Sequence, residues 1–260
     1  MRLRSGHEPE KLITEWFADL TLVSIFILLA SSFLGSFITA ALGVGGGAFL
    51  IAVMADIVPA IALIPLHGIV QLGSNGSRAV LTRKHLQLKI LGFFSLGAVI
   101  ATVCAIFLFN KTGTEFIPPL VALFILWLCW GKLPELGLGK KPLGLFIGGL
   151  LTTLATMIVG ASGPLVSAWL GRSGIDRWTY TSNFSSCMTV QHLLKIAVFS
   201  FAGFAFTDWI PLLITMLLMG YIGTKVGLSV LGKLPEKQFK MLFKMLLTLL
   251  AIKILITWFL

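Results

Sequence analysis

The stretch Leu34-Gly35-Ser36-Phe37-Ile38-Thr39-Ala40-Ala41-Leu42-Gly43-Val44-Gly45-Gly46-Gly47-Ala48-Phe49-Leu50 decides the fold, together with Leu150-Leu151-Thr152-Thr153-Leu154-Ala155-Thr156-Met157-Ile158-Val159-Gly160-Ala161-Ser162-Gly163-Pro164-Leu165-Val166. The first lies in an uncharged run of 36 residues at 20–55, the second in one of 30 residues at 142–171. At about 1.5 Å per residue, a straight helix of either length overruns a hydrocarbon core of about 30 Å. Each run therefore bends or breaks, and glycine marks where. A break at membrane depth is tolerated only where it is buried in protein or lines a cavity. Interruptions at corresponding places in two halves point to the substrate site of a transporter.

Composition supports a membrane setting. The chain has 260 residues, 57% of them hydrophobic and only 12% charged, against about 25% charged in soluble domains. A net charge of +10 would suggest nucleic acid in a soluble protein. Here lysines and arginines gather in short loops, where they set orientation, and no nucleic acid is expected as a partner. Glu8, Glu10, Glu15 and Asp19 ahead of the first apolar run make a poor signal-peptide n-region. Residues 1–19 read as an N-terminal interfacial segment, with Trp16 and Phe17 at the headgroups of a short helix. Cys104, Cys129 and Cys187 stand in apolar contexts without ligand spacing and read as buried, inert thiols.

Apolar runs fall near 20–42, 48–55, 58–77, 90–109, 116–131, 143–159, 164–171, 178–202, 209–230 and 241–260. The runs 48–55 and 164–171 are too short to span and follow the glycine breaks. Basic clusters stand at Arg78/Arg83/Lys84/Lys89, Lys132/Lys140/Lys141, Arg172/Arg177 and Lys233/Lys237/Lys240/Lys244. If all four are cytoplasmic, 142–171 must leave and return on that side, as a hairpin with its tip at Gly160–Gly163. By the same logic 20–56 is a hairpin entered from outside, its tip at Gly43–Gly47. Arg2 and Arg4 oppose this orientation. The expected fold is an all-α integral membrane protein of two weakly similar, inverted repeats, 20–135 and 142–260. Each is a glycine-broken helical hairpin plus three transmembrane helices. Eight simple spans in two parallel sets of four are the alternative, at the cost of one basic cluster outside. The halves align at an offset of 116, Leu34 with Leu150 and Gly47 with Gly163.

A polar stripe follows each break. His67, Gln71, Ser74, Asn75 and Arg78 form the first; Asn183, Cys187, Gln191 and Lys195 form the second. Spacings of three and four place each set on one helix face. Such faces turn to a bundle interior or an aqueous cavity, or serve only as interhelical hydrogen-bonding glue. The short helices would begin at the breaks, aiming free N–H groups and positive dipole ends at an anion. Gly45, Gly46 and Gly47, with Ser162 and Gly163, would let it approach the backbone. All ten Asp and Glu lie at predicted ends or loops, so a carboxylate proton relay is hard to build. His67, His192, Arg78 and Lys195 are candidates for charge or proton coupling; Arg78 and Lys195 could equally snorkel. No GxSxG, HExxH, CxxC or Walker A pattern is present, and no metal site or cofactor is expected.

Together, Gly35 through Gly47 with the Leu42–Gly47 core, Pro59, the segment Gly73–Arg78 and Gly160-Ala161-Ser162-Gly163-Pro164-Leu165 resemble the TauE/SafE family. These are sulfite and organosulfur-anion transporters of the 4-toluene sulfonate uptake permease superfamily. The resemblance covers nearly the whole chain. Its second half departs from the family's commoner glycine-rich form, having Gly-Ala-Ser-Gly-Pro. The resemblance implies a permease without ATPase activity, in the cell inner membrane, moving sulfite, an organosulfonate or a related sulfur anion. The substrate-binding residues read from the stripes and breaks are Gly45, Gly46, Gly47, His67, Gln71, Ser74, Asn75, Ser162, Gly163, Asn183 and Gln191. Expected partners are the small anionic substrate and membrane lipid, and a homodimer is compatible with the sequence. A passive anion channel of the same fold, or an uptake permease for another sulfur oxyanion, is the alternative. An intramembrane enzyme is disfavoured by the lack of a paired nucleophile and base.

Overall fold

A computed structural model describes residues 11, 14–108, 115–131, 141–171, 175–233 and 236–260. Most of the N-terminal segment, Lys132, Lys140 and Arg172 lie outside them. Among the described residues there are ten α-helices and no strand. They are α1 (Leu22–Leu42), α2 (Gly46–Met54), α3 (Ala60–Leu81), α4 (Leu88–Leu108), α5 (Ile117–Trp130), α6 (Pro142–Val159), α7 (Gly163–Leu170), α8 (Arg177–Phe201), α9 (Ile210–Ser229) and α10 (Glu236–Phe259). Five segments are long and apolar enough to cross a membrane: α1, α4, α6, Phe206–Ser229 and Met241–Phe259.

The two expected breaks are present and their chemistry is local. Helix α1 starts at Thr21, whose hydroxyl accepts the Ser24 N–H at 3.2 Å, and ends at Gly43. Helix α6 starts with Pro142 in its first turn, where the missing N–H costs nothing, and ends at Gly160. Gly43 has φ 87° and Gly160 φ 75°, the left-handed cap that a side chain would strain. Each cap N–H closes on a threonine carbonyl, Thr39 O at 2.8 Å and Thr156 O at 3.0 Å. The chain then reverses into α2 or α7. Helix α8 is capped by Asp176, whose Oδ1 accepts the Trp178 and Thr179 N–H groups, both at 3.0 Å. A side-chain hydrogen bond from Thr179, then these N–H bonds, hold its carboxyl below the usual range.

Helices α3 and α8 pack side by side and antiparallel: Gly68 meets Lys195, and further along α3 Gly76 meets Thr189. Helix α1 packs along α9, and α6 along α4. A methyl at Gly223 would run into the Phe33 carbonyl, and one at Gly149 into the Phe94 carbonyl, so both pairs approach to backbone contact, as small residues permit in membranes. Helix α2 is the most enclosed element, with seven of its nine residues buried. Phe49, Leu50, Ile51 and Met54 join Leu63, Leu66, Ile125, Met216 and Leu247 in the main core. A second cluster of Phe94, Leu145, Val166, Phe184 and Met188 surrounds α7. Asp56, just past α2, pairs with Lys253 of α10.

The thiols differ from expectation. Only Cys187 is buried; Cys129 is half-buried and Cys104 exposed on α4. Their apolar sequence context reflects outward-facing helix surfaces as much as core.

Candidate functional site

The two breaks meet in one small cavity of about 20 Å³. From the first hairpin come Thr39, Gly45, Gly47 and Ala48; from the second, Ala161, Ser162, Gly163 and Pro164. Helix α3 contributes His67, Gln71 and Asn75, and α8 contributes Phe184, Met188 and His192. The caps themselves lie at opposite ends of α8. Gly43 borders a different pocket with Tyr180 and Thr181 in its first turn, whereas the Gly160 carbonyl accepts a bond from Lys195 near its end. Between these levels the first turns of α2 and α7 converge.

Those first turns have no side-chain cap. Phe49 N–H is the first in α2 to close, on Gly45 O at 3.1 Å, and Val166 N–H the first in α7, on Ser162 O at 3.0 Å. The N–H groups ahead of them are left for other acceptors, and both helix dipoles add positive potential at the cavity. Ser162 makes no cap bond to α7; its hydroxyl donates to Gln191 Oε1 at 2.8 Å.

His67 Nε2 bonds the Gly47 carbonyl at 2.9 Å. A carbonyl can only accept, so this nitrogen carries the proton and Nδ1 is the bare one. That Nδ1 is buried without a partner, as are both ring nitrogens of His192. The two rings stand edge to face, 6.0 Å between centroids. Asn75 Nδ2 donates to Gln71 Oε1 at 3.1 Å and to Gln71 O at 2.9 Å, and its Oδ1 accepts from Arg78. The Gln71 amide faces Gly47, where an added Cβ would stand 3.3 Å from Oε1.

The structure gathers Gly45, Gly47, His67, Gln71, Asn75, Ser162, Gly163 and His192 from the sequence-derived set, and sets the others elsewhere. Gly46 packs beneath Gly35 of α1, where a Cβ would collide with the Gly35 carbonyl. Ser74 is buried with an unpartnered hydroxyl, off the cavity wall. Asn183 secures the start of α4, accepting the Gln87 N–H at 2.9 Å and donating to Gln87 Oε1 at 3.3 Å. Gln191 stands behind Ser162, its Nε2 donating to Thr152 and Thr153 hydroxyls at 2.8 and 2.9 Å. Thr39, Ala48, Phe184 and Met188 also line the cavity, with no signal in the polar stripes.

Arg78 and Lys195 do not snorkel; both are fully buried. No carboxylate is among the buried described residues. The cavity thus receives two helix N-termini, two buried basic side chains lie behind its wall, and no buried carboxylate among the described residues opposes them. Such an arrangement disfavours cations and favours an anion.

Like features recur 117 positions apart: Gly43 and Gly160 are left-handed caps that close on Thr39 and Thr156, Gly46 and Gly163 open short helices, and Arg78 and Lys195 are buried cations. On the cavity wall the same offset relates His67 to Phe184, Gln71 to Met188 and Asn75 to His192.

Comparison with curated proteins and with solved structures returns no significant match. The family model described as sulfite exporter TauE/SafE matches residues 28–254, nearly the full set of helices that build the hairpins and the cavity, and the chain belongs to that family.

Proposed function

We propose that the protein is a secondary transporter that binds a small sulfur-containing anion, such as sulfite or an organosulfonate, between the two hairpin breaks. The observation that carries this reading is a cavity lined by both breaks, with helix N-termini, His67, Gln71 and His192 on its wall and no buried carboxylate among the described residues. A sulfur oxyanion accepts several N–H bonds at once, and bonds to an ionised acceptor are about twice as strong as neutral ones. Membership of a transporter family and the apolar helices of a multi-pass membrane protein support it. We place it in the cell inner membrane.

Residues 20–135 and 142–260 form the two inverted repeats of this reading. Its support is the 117-residue correspondence, the antiparallel packing of α3 on α8, and pairings that persist when the halves are exchanged: α1 with α9 answers α6 with α4. Alternating access then moves one half against the other around the shared cavity.

The test is flux in proteoliposomes of purified protein. Sulfite or a sulfonate should accumulate against its gradient when the coupling gradient is applied. Dissipation of gradients without accumulation would identify a channel. Preference for a neutral or cationic sulfur compound over every anion would overturn the substrate class.

A further inference from the structure

Beyond the cavity, one group stands out. Arg78 is fully buried, with 0% exposure. One terminal nitrogen donates to Asn75 Oδ1, while Nε and the other terminal nitrogen have no hydrogen-bond partner. No acidic side chain answers it, since no described carboxylate is buried. A buried guanidinium with two idle donors and no counter-charge is costly to hold in a fold, and buried polar atoms without partners are few in native proteins.

The second half supplies an internal comparison. Lys195 occupies the corresponding position, and its ammonium is engaged by the Gly160 carbonyl at 2.6 Å. Thr156 donates to that carbonyl as well, at 3.2 Å. Their first-half counterparts bond away from Gly43: Thr39 donates back to Gly35 O at 3.0 Å, and Arg78 to Asn75. Of two equivalently placed cations, one is tied to its hairpin and the other keeps its donors free.

Neighbours of Arg78 line two separate cavities. Asn75, which it bonds, lies on the wall of the hairpin cavity. Tyr180, its electrostatic neighbour on α8, borders the pocket at Gly43 together with Thr181 and Arg177. Thr181 lends that pocket a buried hydroxyl without a partner. Ser74, four residues before Arg78 and so on its face of α3, carries another.

We propose that Arg78 forms a second anion subsite, beside the hairpin cavity and the pocket at Gly43 and Thr181, whose idle donors take a small oxyanion. Nε and the idle terminal nitrogen point apart, but the terminal nitrogen bound to Asn75 keeps a second N–H, which makes a planar fork with one of them and matches two oxygens of one oxyanion. A spherical halide cannot use the fork in the same way. The existence of the subsite rests on Arg78 itself; the identity of its occupant as the transported sulfur anion rests on the function proposed above.

The full-length protein in lipid nanodiscs, titrated with sulfite, methanesulfonate and nitrate by calorimetry and thermal shift at constant ionic strength, tests this, with chloride as comparator. The wild type should bind the oxyanions more tightly than chloride. R78K keeps the charge but not the fork and should bind them about tenfold more weakly or worse, the range for one lost hydrogen bond to a charged group. R78Q should lose the component that Gln71→Ala retains. Oxyanion binding at wild-type affinity in folded R78Q overturns the subsite, and so does wild-type affinity in R78K, which serves where R78Q does not fold. Equal affinity for chloride, or no oxyanion binding to the wild type, overturns it too. Sulfite flux separates the two claims. Flux in the wild type with unchanged binding and flux in R78Q removes the subsite and leaves the transporter. Absent flux of any sulfur anion, with Arg78-dependent nitrate binding, removes the transporter's substrate class and leaves the subsite.

Discussion

Lys195 Nζ donates a 2.6 Å hydrogen bond to the carbonyl of Gly160, the left-handed residue that ends α6. The bond ties the polar face of α8 to the turn of the second hairpin. Because Gly160 also accepts from Thr156 at 3.2 Å, the carbonyl is not orphaned when the lysine is removed.

Lys195→Met keeps the stem that packs against Gly68 and removes a desolvated charge. Apolar replacement of buried charge is often close to neutral, so unfolding in detergent should change by less than about 1 kcal/mol. Flux should nevertheless fall several-fold, because the turn loses its tie to α8. Lys195→Ala also loses the packed stem and should cost about 2 kcal/mol or more. Unchanged flux from Lys195→Met would show that the tie is structural only.

Gly46 and Gly47 are adjacent but should respond differently. A methyl at Gly46 strikes the Gly35 carbonyl and comes within 2.5 Å of Thr39 Oγ1; Gly46→Ala should force α1 and α2 apart and destabilise by about 1–3 kcal/mol. A methyl at Gly47 stands 3.3 Å from Gln71 Oε1, so Gly47→Ala should keep the fold and weaken anion binding. Expression level, thermal unfolding and a binding titration on the two variants read this out; the reverse order would relocate the site.

Gln71→Ala removes an amide from the cavity wall. Loss of one hydrogen bond to a charged ligand is about 1.5–3 kcal/mol, roughly ten- to a hundredfold in affinity. Calorimetry with sulfite should show that weakening with the melting temperature little changed. Equal affinity would make Gln71 a helix-packing residue.

Gln191→Leu should act on stability first. Its amide holds three hydroxyls, those of Thr152, Thr153 and Ser162, and leucine leaves all three without that partner. A loss of about 2–3 kcal/mol is expected, with a smaller effect on affinity through Ser162. A variant that melts like the wild type but binds tenfold more weakly would move Gln191 into direct contact with the anion.

The hairpins were legible because glycine at a left-handed helix end has a backbone reason, visible in an apolar run as at Gly43 and Gly160. The face of α3 was legible too: His67, Gln71 and Asn75 are spaced by four and line the cavity together. The face of α8 was not. A register of 116 pairs His67 with Asn183 and Asn75 with Gln191, whereas the two left-handed caps, Gly43 and Gly160, stand 117 apart. One residue is about 100° of helix rotation at 3.6 residues per turn, enough to exchange Asn183 and Gln191 for Phe184 and His192 on the wall. Phe184 and Met188 escape any search for polar stripes, because an apolar wall residue looks like core. Gly46 escaped for a related reason: in a run of three glycines the sequence does not say which one meets a ligand and which a neighbouring helix.

The five segments apolar enough to cross a membrane do not include α3 or α8, the two helices that carry His67, Gln71, His192, Arg78 and Lys195. A ribosome delivers these segments singly, and basic or strongly polar residues at a helix centre make lone insertion unfavourable by a few kcal/mol each. Helix α3 finds its antiparallel partner only after more than a hundred further residues have been made, and of the elements it packs against only α1 and α2 precede it. The meeting of α3 with α8 should therefore come late in biogenesis, and substitutions that make either helix more apolar should raise its yield in the membrane while erasing the reason for putting it there.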